Sequence, residues 1–153
     1  MEWNAKESAS FFESREYIDT CLVPIIPLSF DHDGKDCGNS SEYIFRISKQ
    51  IENQFKGRIL LTPPLTYFKS STQEFNNQVL EEWCKQFEQS NFNYQVYISS
   101  DLDWKPIVEE KGYTFIWLPA LPMLQMDESS KMKVILSQSE QLLNIFTSQW
   151  NKD

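Results

Sequence analysis

Glycine is scarce in this chain. There are four in 153 residues, and none stands just after the second apolar segment. G-x-G-x-x-G, Walker-type and G-x-S-x-G patterns are absent, so neither a phosphate-cradling loop nor a strained serine elbow is expected. Histidine occurs once, at His32, fewer than the sets that usually hold catalytic zinc. The cysteines are Cys21, Cys37 and Cys84, odd in number, widely spaced and without C-x-x-C. That spacing argues against a disulfide framework and points to a reducing compartment, most simply the cytoplasm. Residues 1–6 contain no apolar core, so no secretory leader is expected there. The longest apolar run, Cys21 to Leu28, carries two prolines and covers about a quarter to a half of a membrane span. Positive charge is also short, with 14 Lys and Arg against 22 Asp and Glu and a net charge of −8. No basic stripe reverses that field, so nucleic acid and anionic membrane are not expected partners.

Apolar material is plentiful. Hydrophobic residues make up 41% and aromatics 14%, enough for a packed core. The length predicts one domain, residues 1–153. Helical and strand signals alternate along it. Asn4 caps a first helix from about Ala5 to Arg15, with Phe11 and Phe12 at its buried end. Thr20 to Leu28 reads as a strand buried on both faces, although Pro24 and Pro27 each remove a ladder donor. Asn39 and Glu42 form a capping box for a second helix, whose Ile44, Ile47, Ile51 and Phe55 recur at helical spacing before Gly57. Arg58 to Thr62 is a second strand, ended by Pro63-Pro64, and the stretch to Ser70 reads as a loop.

A third helix spans about Thr72 to Gln89, with Phe75, Val79, Trp83 and Phe87 along one face. Asn93 to Ser99 alternates as a third strand. Asp101 or Asp103 opens a short helix ending near Gly112, and Tyr113 to Leu118 is the fourth strand. The last helix runs from about Ser130 to Trp150, with Met132, Ile135, Ser139, Leu142 or Leu143, Phe146 and Trp150 inward. Strands separated by helices predict a three-layer α/β/α fold around a mostly parallel sheet of about four strands.

In such sheets ligands bind beyond the carboxyl ends of the strands. The segment Ser29 to Asn39 there holds His32, three Asp and two Gly. Asp31, His32 and Asp33, joined by Asp101, offer ligand types suited to zinc or manganese. The competing explanation is that Asp, Asn and Gly are ordinary turn formers before a helix. Cys37 at the start of the second helix has a dipole that favours its thiolate, with His32 as a conceivable base. A buried, unreactive cysteine is the commoner case.

Two resemblances follow from these residues. The segment Glu16 to Thr20, the Pro-rich strand through Phe30, and Ile51 to Leu61 resemble the uncharacterised YpiF-type family of Bacillus and relatives, across most of the chain. The Pro-containing strand, acidic loop, helix and Pro63-Pro64-Leu65-Thr66-Tyr67 are similar to the first third of creatininase-type amidohydrolases. Laid on the E-x-H-G pattern of those metal enzymes, Asp31 falls on the Glu, Asp33 on the His and Gly34 on the Gly. Glu42 then falls on the Asp nine residues beyond, and Ser70 on a later serine, whereas Thr72-Gln73 stands where a Glu-His pair is expected. That resemblance implies a shared scaffold whose two-metal site has lost ligands.

The expected function is a non-catalytic, cytoplasmic α/β protein without a cofactor. It binds a partner protein or small ligand through Asp31, His32, Tyr67, Phe68, Asp101 and Trp104. The alternative is a zinc or manganese amidohydrolase using Asp31, His32, Asp33 and Asp101.

Overall fold

Thr20–Leu28 (β1) is the strand on which the sheet is built. A computed structural model describes residues 1–152. In it, β1 pairs in parallel with Ile59–Leu61 (β2) and Tyr94–Ser99 (β4) through its first half, and with Leu65–Phe68 (β3) through its second. Thr114–Trp117 (β5) adds to β4, also in parallel. The order is β2, β1, β4, β5, with β3 continuing the β2 edge. The fold is therefore the expected three-layer α/β/α arrangement around a parallel sheet, with five strands.

The additional strand corrects the reading of Pro63 to Ser70 as a loop. Pro63-Pro64 does interrupt the edge, because neither residue can donate to a ladder. Leu65 and Tyr67 then turn inward and Thr66 and Phe68 outward, the two-residue period of a half-buried strand.

Five helices cover the two faces. Ala5–Glu13 (α1), Gln73–Gln89 (α3) and Trp104–Glu110 (α4) contribute Phe11, Leu80, Cys84, Trp104, Ile107 and Val108 to one core, against Cys21, Val23 and Ile25 of β1. Gly34–Gln54 (α2) and Glu128–Asn151 (α5) close the other face with Tyr43, Ile44, Ile47, Ile51, Ile135, Leu142 and Phe146 against Leu22, Val96 and Ile98. Both faces of β1 are thus apolar, which is why its sequence shows a continuous run rather than alternation.

Three helices are capped as their sequences direct. Asn4 Oδ1 accepts from Glu7 N at 2.8 Å, Thr72 Oγ1 from Phe75 N at 3.1 Å, and Asp127 Oδ1 from Ser130 N at 2.7 Å. These side chains satisfy backbone donors left free in a first turn. Asp127 starts the last helix slightly earlier than expected.

Other assignments change. The α2 helix begins at Gly34 and ends at Gln54, so Asn39 lies inside it and Gly57 in the following turn. Asn39 instead bridges to the chain after β5: its Nδ2 donates to Leu121 O and its Oδ1 accepts from Met123 N, both at 2.6 Å. Glu42 forms ion pairs with Lys131 at 3.1 Å and Arg46 at 3.8 Å rather than closing a capping box. In α3 the buried line is Leu80 and Cys84; Val79, Trp83 and Phe87 flank it half-buried, and Phe75 is exposed. Phe12 and Met132 are likewise exposed rather than inward.

Two glycines of α2 make opposite demands. A Cβ on Gly34 would stand 2.6 Å from the Ser29 carbonyl oxygen, whereas one on Gly38 meets nothing within 4 Å. Gly34→Ala is therefore expected to destabilise by ~1–3 kcal/mol through overpacking. Gly38→Ala, in an exposed helix interior, is expected to stabilise by ~0.5–1 kcal/mol. Urea-denaturation midpoints of the two variants check both signs.

Candidate functional site

The carboxyl ends of β1, β3 and β4 meet at a crevice. The chain leaves β1 toward β2 and β3 on one side, while β4 occupies the other, so the strand order reverses between β1 and β4. This is where open parallel sheets form binding clefts. The last β1 residue in register with β4 is Pro24, opposite Ile98. Beyond it β1 pairs only with β3, and a cavity of about 380 Å³ lies there. Asp33, Asp36, Cys37 and Ser40 line it from the start of α2, Tyr67 and Lys69 from β3 and its exit, and Ser100 and Asp101 from the end of β4.

Asp101 organises the site. Its Oδ2 accepts from the Tyr67 hydroxyl and from Lys69 Nζ at 3.3 Å. Its Oδ1 accepts from Asp103 N at 3.0 Å, turning the chain into α4. Burial works to raise the Asp101 carboxyl, but Tyr67, the Asp103 amide and Lys69 outweigh it and hold the group below its ordinary range. The Tyr67 hydroxyl is pushed up in turn, by burial and then by the adjacent carboxylate, so it stays protonated and acts as a donor. The Tyr67 ring meets that of Trp104 edge-on at 5.1 Å. A second cavity of about 230 Å³ lies on the far side of the Tyr67, Lys69 and Asp101 group, reaching Gln73 and Asn76.

On the α2 side, Asp33 Oδ1 accepts from the Ser29 hydroxyl. That bond, more than any other influence, lowers the Asp33 carboxyl. Cys37 behaves oppositely to a dipole-activated thiol: burial, followed by the Asp33 charge, raises it. A raised thiol is a poor nucleophile at neutral pH.

The candidate residues divide accordingly. Tyr67, Asp101 and Trp104 come together, and Asp33 joins them across the larger cavity. Trp104, however, is 1% exposed and belongs to the core beneath the site. Phe68 points outward and pairs with the exposed Phe30 at 6.5 Å, and neither ring lines the cavities. Asp31 and His32 are exposed on the turn before α2 and line neither cavity. Among the described residues, no three of His, Cys, Asp and Glu are placed to hold a metal ion, and Asp31, His32, Asp33 and Asp101 do not form such a group. Glu42, aligned with a ligand by the amidohydrolase resemblance, is engaged with Lys131 and Arg46.

Lys69, Asp36 and Ser40 were not among the expected site residues. Once Leu65 to Phe68 is read as a strand by its in–out alternation, Lys69 falls at its carboxyl end, which is the signal that locates it.

Fold and crevice together define a class: an α/β protein with a parallel sheet and an acidic cleft at the point where strand order reverses. Residues 9–150 match the family described as "Protein of unknown function (DUF2487)", and the chain belongs to that family. It is 24% identical over 154 residues to the uncharacterized protein YpiF of Bacillus subtilis (strain 168), with 99% of each chain covered. The resemblance to YpiF-type proteins is thus established along nearly the whole length. Among solved structures, a sigma-54 interaction domain protein from Enterococcus faecalis is similar at 8% identity and a TM-score of 0.41, over 83% of this chain and 95% of that one. A likeness that loose carries no argument for fold or function.

Replacing Asp101 tests this arrangement. Asp101→Ala leaves the buried Tyr67 hydroxyl without its acceptor and is expected to cost ~1–3 kcal/mol, against ~0.5–1.5 kcal/mol for Tyr67→Phe. Because the folded-state Asp101 carboxyl lies below its unfolded value, its contribution is complete above pH about 4 and fades as pH falls through the folded value. Urea midpoints of wild type and Asp101→Asn should therefore differ at pH 7 and converge as the pH falls through the folded Asp101 value.

Proposed function

We propose that the protein is a non-catalytic, cytoplasmic binding protein that takes a small polar ligand, or a polar group of a partner, in the cleft between β1 and β4. The cleft of about 380 Å³ carries this reading, being of the size that small-molecule sites commonly have, roughly 300–1,000 Å³. Its polar groups are fixed in advance. Tyr67 and Lys69 hold Asp101, and Ser29 holds Asp33. A preset site binds without the cost of ordering its side chains. Three carboxylates face one ammonium around the cavity, so a cationic or zwitterionic group is favoured over an anion.

Catalysis has no comparable support. His32 makes no hydrogen bond among the described residues, Cys37 is raised, and Asp101 is committed to three donors. Three unpaired cysteines fit a reducing compartment. No helix of the described residues is long and apolar enough to cross a membrane.

Titration of the ¹⁵N-labelled protein with a panel of small amines and amino acids tests the reading. Amide shifts are expected around residues 27–40, 67–71 and 99–104. Asp33→Ala with Asp36→Ala should weaken binding about tenfold or more, the scale of a lost charge-assisted bond. A panel that moves none of these amides sinks the proposal. Zn²⁺ and Mn²⁺ are expected to leave the melting temperature unchanged. Stabilisation by either ion that vanishes in Asp31→Ala and Asp33→Ala would favour the amidohydrolase alternative.

A further inference from the structure

A third concavity lies away from the strand ends, between α1, α3 and the β2 edge. It measures about 600 Å³ and is walled by the rings of Trp3, Phe11, Phe12, Trp83, Phe87 and Phe92. None of its lining residues reaches the Asp101 cleft. We infer that this groove is a separate binding site for a small monocarboxylate with an apolar body, whose carboxylate is held by Arg15.

The argument begins with the arginines, of which the chain has three. Arg46 pairs with Glu128 and Arg58 with Asp19, each at 3.0 Å. Arg15, in a chain of net charge −8, has no carboxylate within ion-pair distance among the described residues. Its guanidinium lies over two rings of the groove, 5.0 Å from the centre of Phe11 and 4.6 Å from that of Phe92. Nη1 donates to Ile18 O at 2.8 Å. Nη2 is withdrawn from solvent and has no acceptor. A buried donor without a partner is costly, and the aromatic rings offset only part of that cost.

With Nη1 engaged and Nη2 covered, the guanidinium acts on the groove chiefly as a positive charge without an ion-pair partner, which a ligand carboxylate neutralises. The six aromatic walls suit the body of such a ligand, and the volume falls within the range of small-molecule sites. Glu82 is the groove's other charged residue, and its Oε1 accepts from Gln86 Nε2 at 2.9 Å. Its negative charge disfavours a multiply charged anion and sets a single carboxylate at the Arg15 end.

Calorimetric titration with decanoate, and with decan-1-ol as its uncharged counterpart, tests the inference on the full chain; Trp3 and Trp83 provide a fluorescence readout. Decanoate is expected to bind about tenfold or more tightly than decanol, and Arg15→Gln to lower decanoate affinity about tenfold to a hundredfold while leaving decanol unchanged. Arg15→Lys should recover part of the loss. Phe12→Ala, at a residue 67% exposed and so harmless to folding, should weaken both probes. Asp101→Ala should affect neither, which separates this site from the strand-end cleft. The inference is overturned if decanoate fails to bind, if decanol binds equally well, or if a folded Arg15→Gln keeps full affinity. Equal binding of decanol would mark the groove as a seat for an apolar face of a partner. Should Arg15→Gln not fold, the decanoate–decanol ratio and Phe12→Ala still decide.

Discussion

The structure depends on β1 pairing with three strands, two of them in succession along one edge, while carrying two prolines. A central strand normally excludes proline, because each removes a donor from a ladder. Here the two residues stand where the ladder changes partner. Pro24 is the last residue in register with β4, and Pro27 lies where β1 pairs only with β3. The missing donors thus fall where β1 and β4 part rather than within a continuous central ladder. The same parting creates the cleft, so the cost to the sheet and the origin of the site have one cause.

From that divergence the site follows. With β4 released, Ser99 to Asp101 turn away and Asp101 meets Tyr67, which β3 presents inward in register with Pro27. Tyr67 is held on its other side by the Trp104 ring, and Trp104 opens the helix that the Asp101 turn initiates. Three elements therefore fix one carboxylate. The close approach of Gly34 to the Ser29 carbonyl anchors the facing wall, where Ser29 also holds Asp33. Both walls are held by contacts within the chain.

Much of the fold was legible because its signals are strong and local. The double-sided burial of Cys21 to Leu28, the caps at Asn4 and Thr72, and the isoleucine line of α2 each leave a plain pattern. What was misread has a physical reason. Asn39 and Glu42 have the spacing of a capping box, but each is satisfied by a distant segment, and a sequence pattern does not distinguish local from long-range partners. The four-residue spacing of Phe75, Val79, Trp83 and Phe87 marks a helix face, but the smaller Leu80 and Cys84 are inside, while Trp83 and Phe87 border the groove. At the site, topology brings the strand ends together, and Tyr67, Asp101 and Trp104 with them. Asp31 and His32 lie exposed on the turn before α2, where Asp is a turn former as readily as a metal ligand.

The two cations that matter most here are not interchangeable, and the reason lies in their surroundings. Lys69 stands at a hydrated rim beside a carboxylate already occupied by a tyrosine hydroxyl and a backbone amide. A single flexible ammonium fits the remaining direction, whereas a guanidinium fork takes two oxygens and would compete with Tyr67 for Oδ2. Arg15 lies over aromatic faces, where an ammonium loses hydration that a ring cannot replace, while a weakly hydrated guanidinium stacks and still donates to the Ile18 carbonyl. The acidic chain therefore neutralises one cation within its own structure and leaves the other, in apolar surroundings, without an internal counter-charge. It is this asymmetry, rather than the size of either cavity, that separates a cleft with negative charge in excess from a groove that lacks an anion.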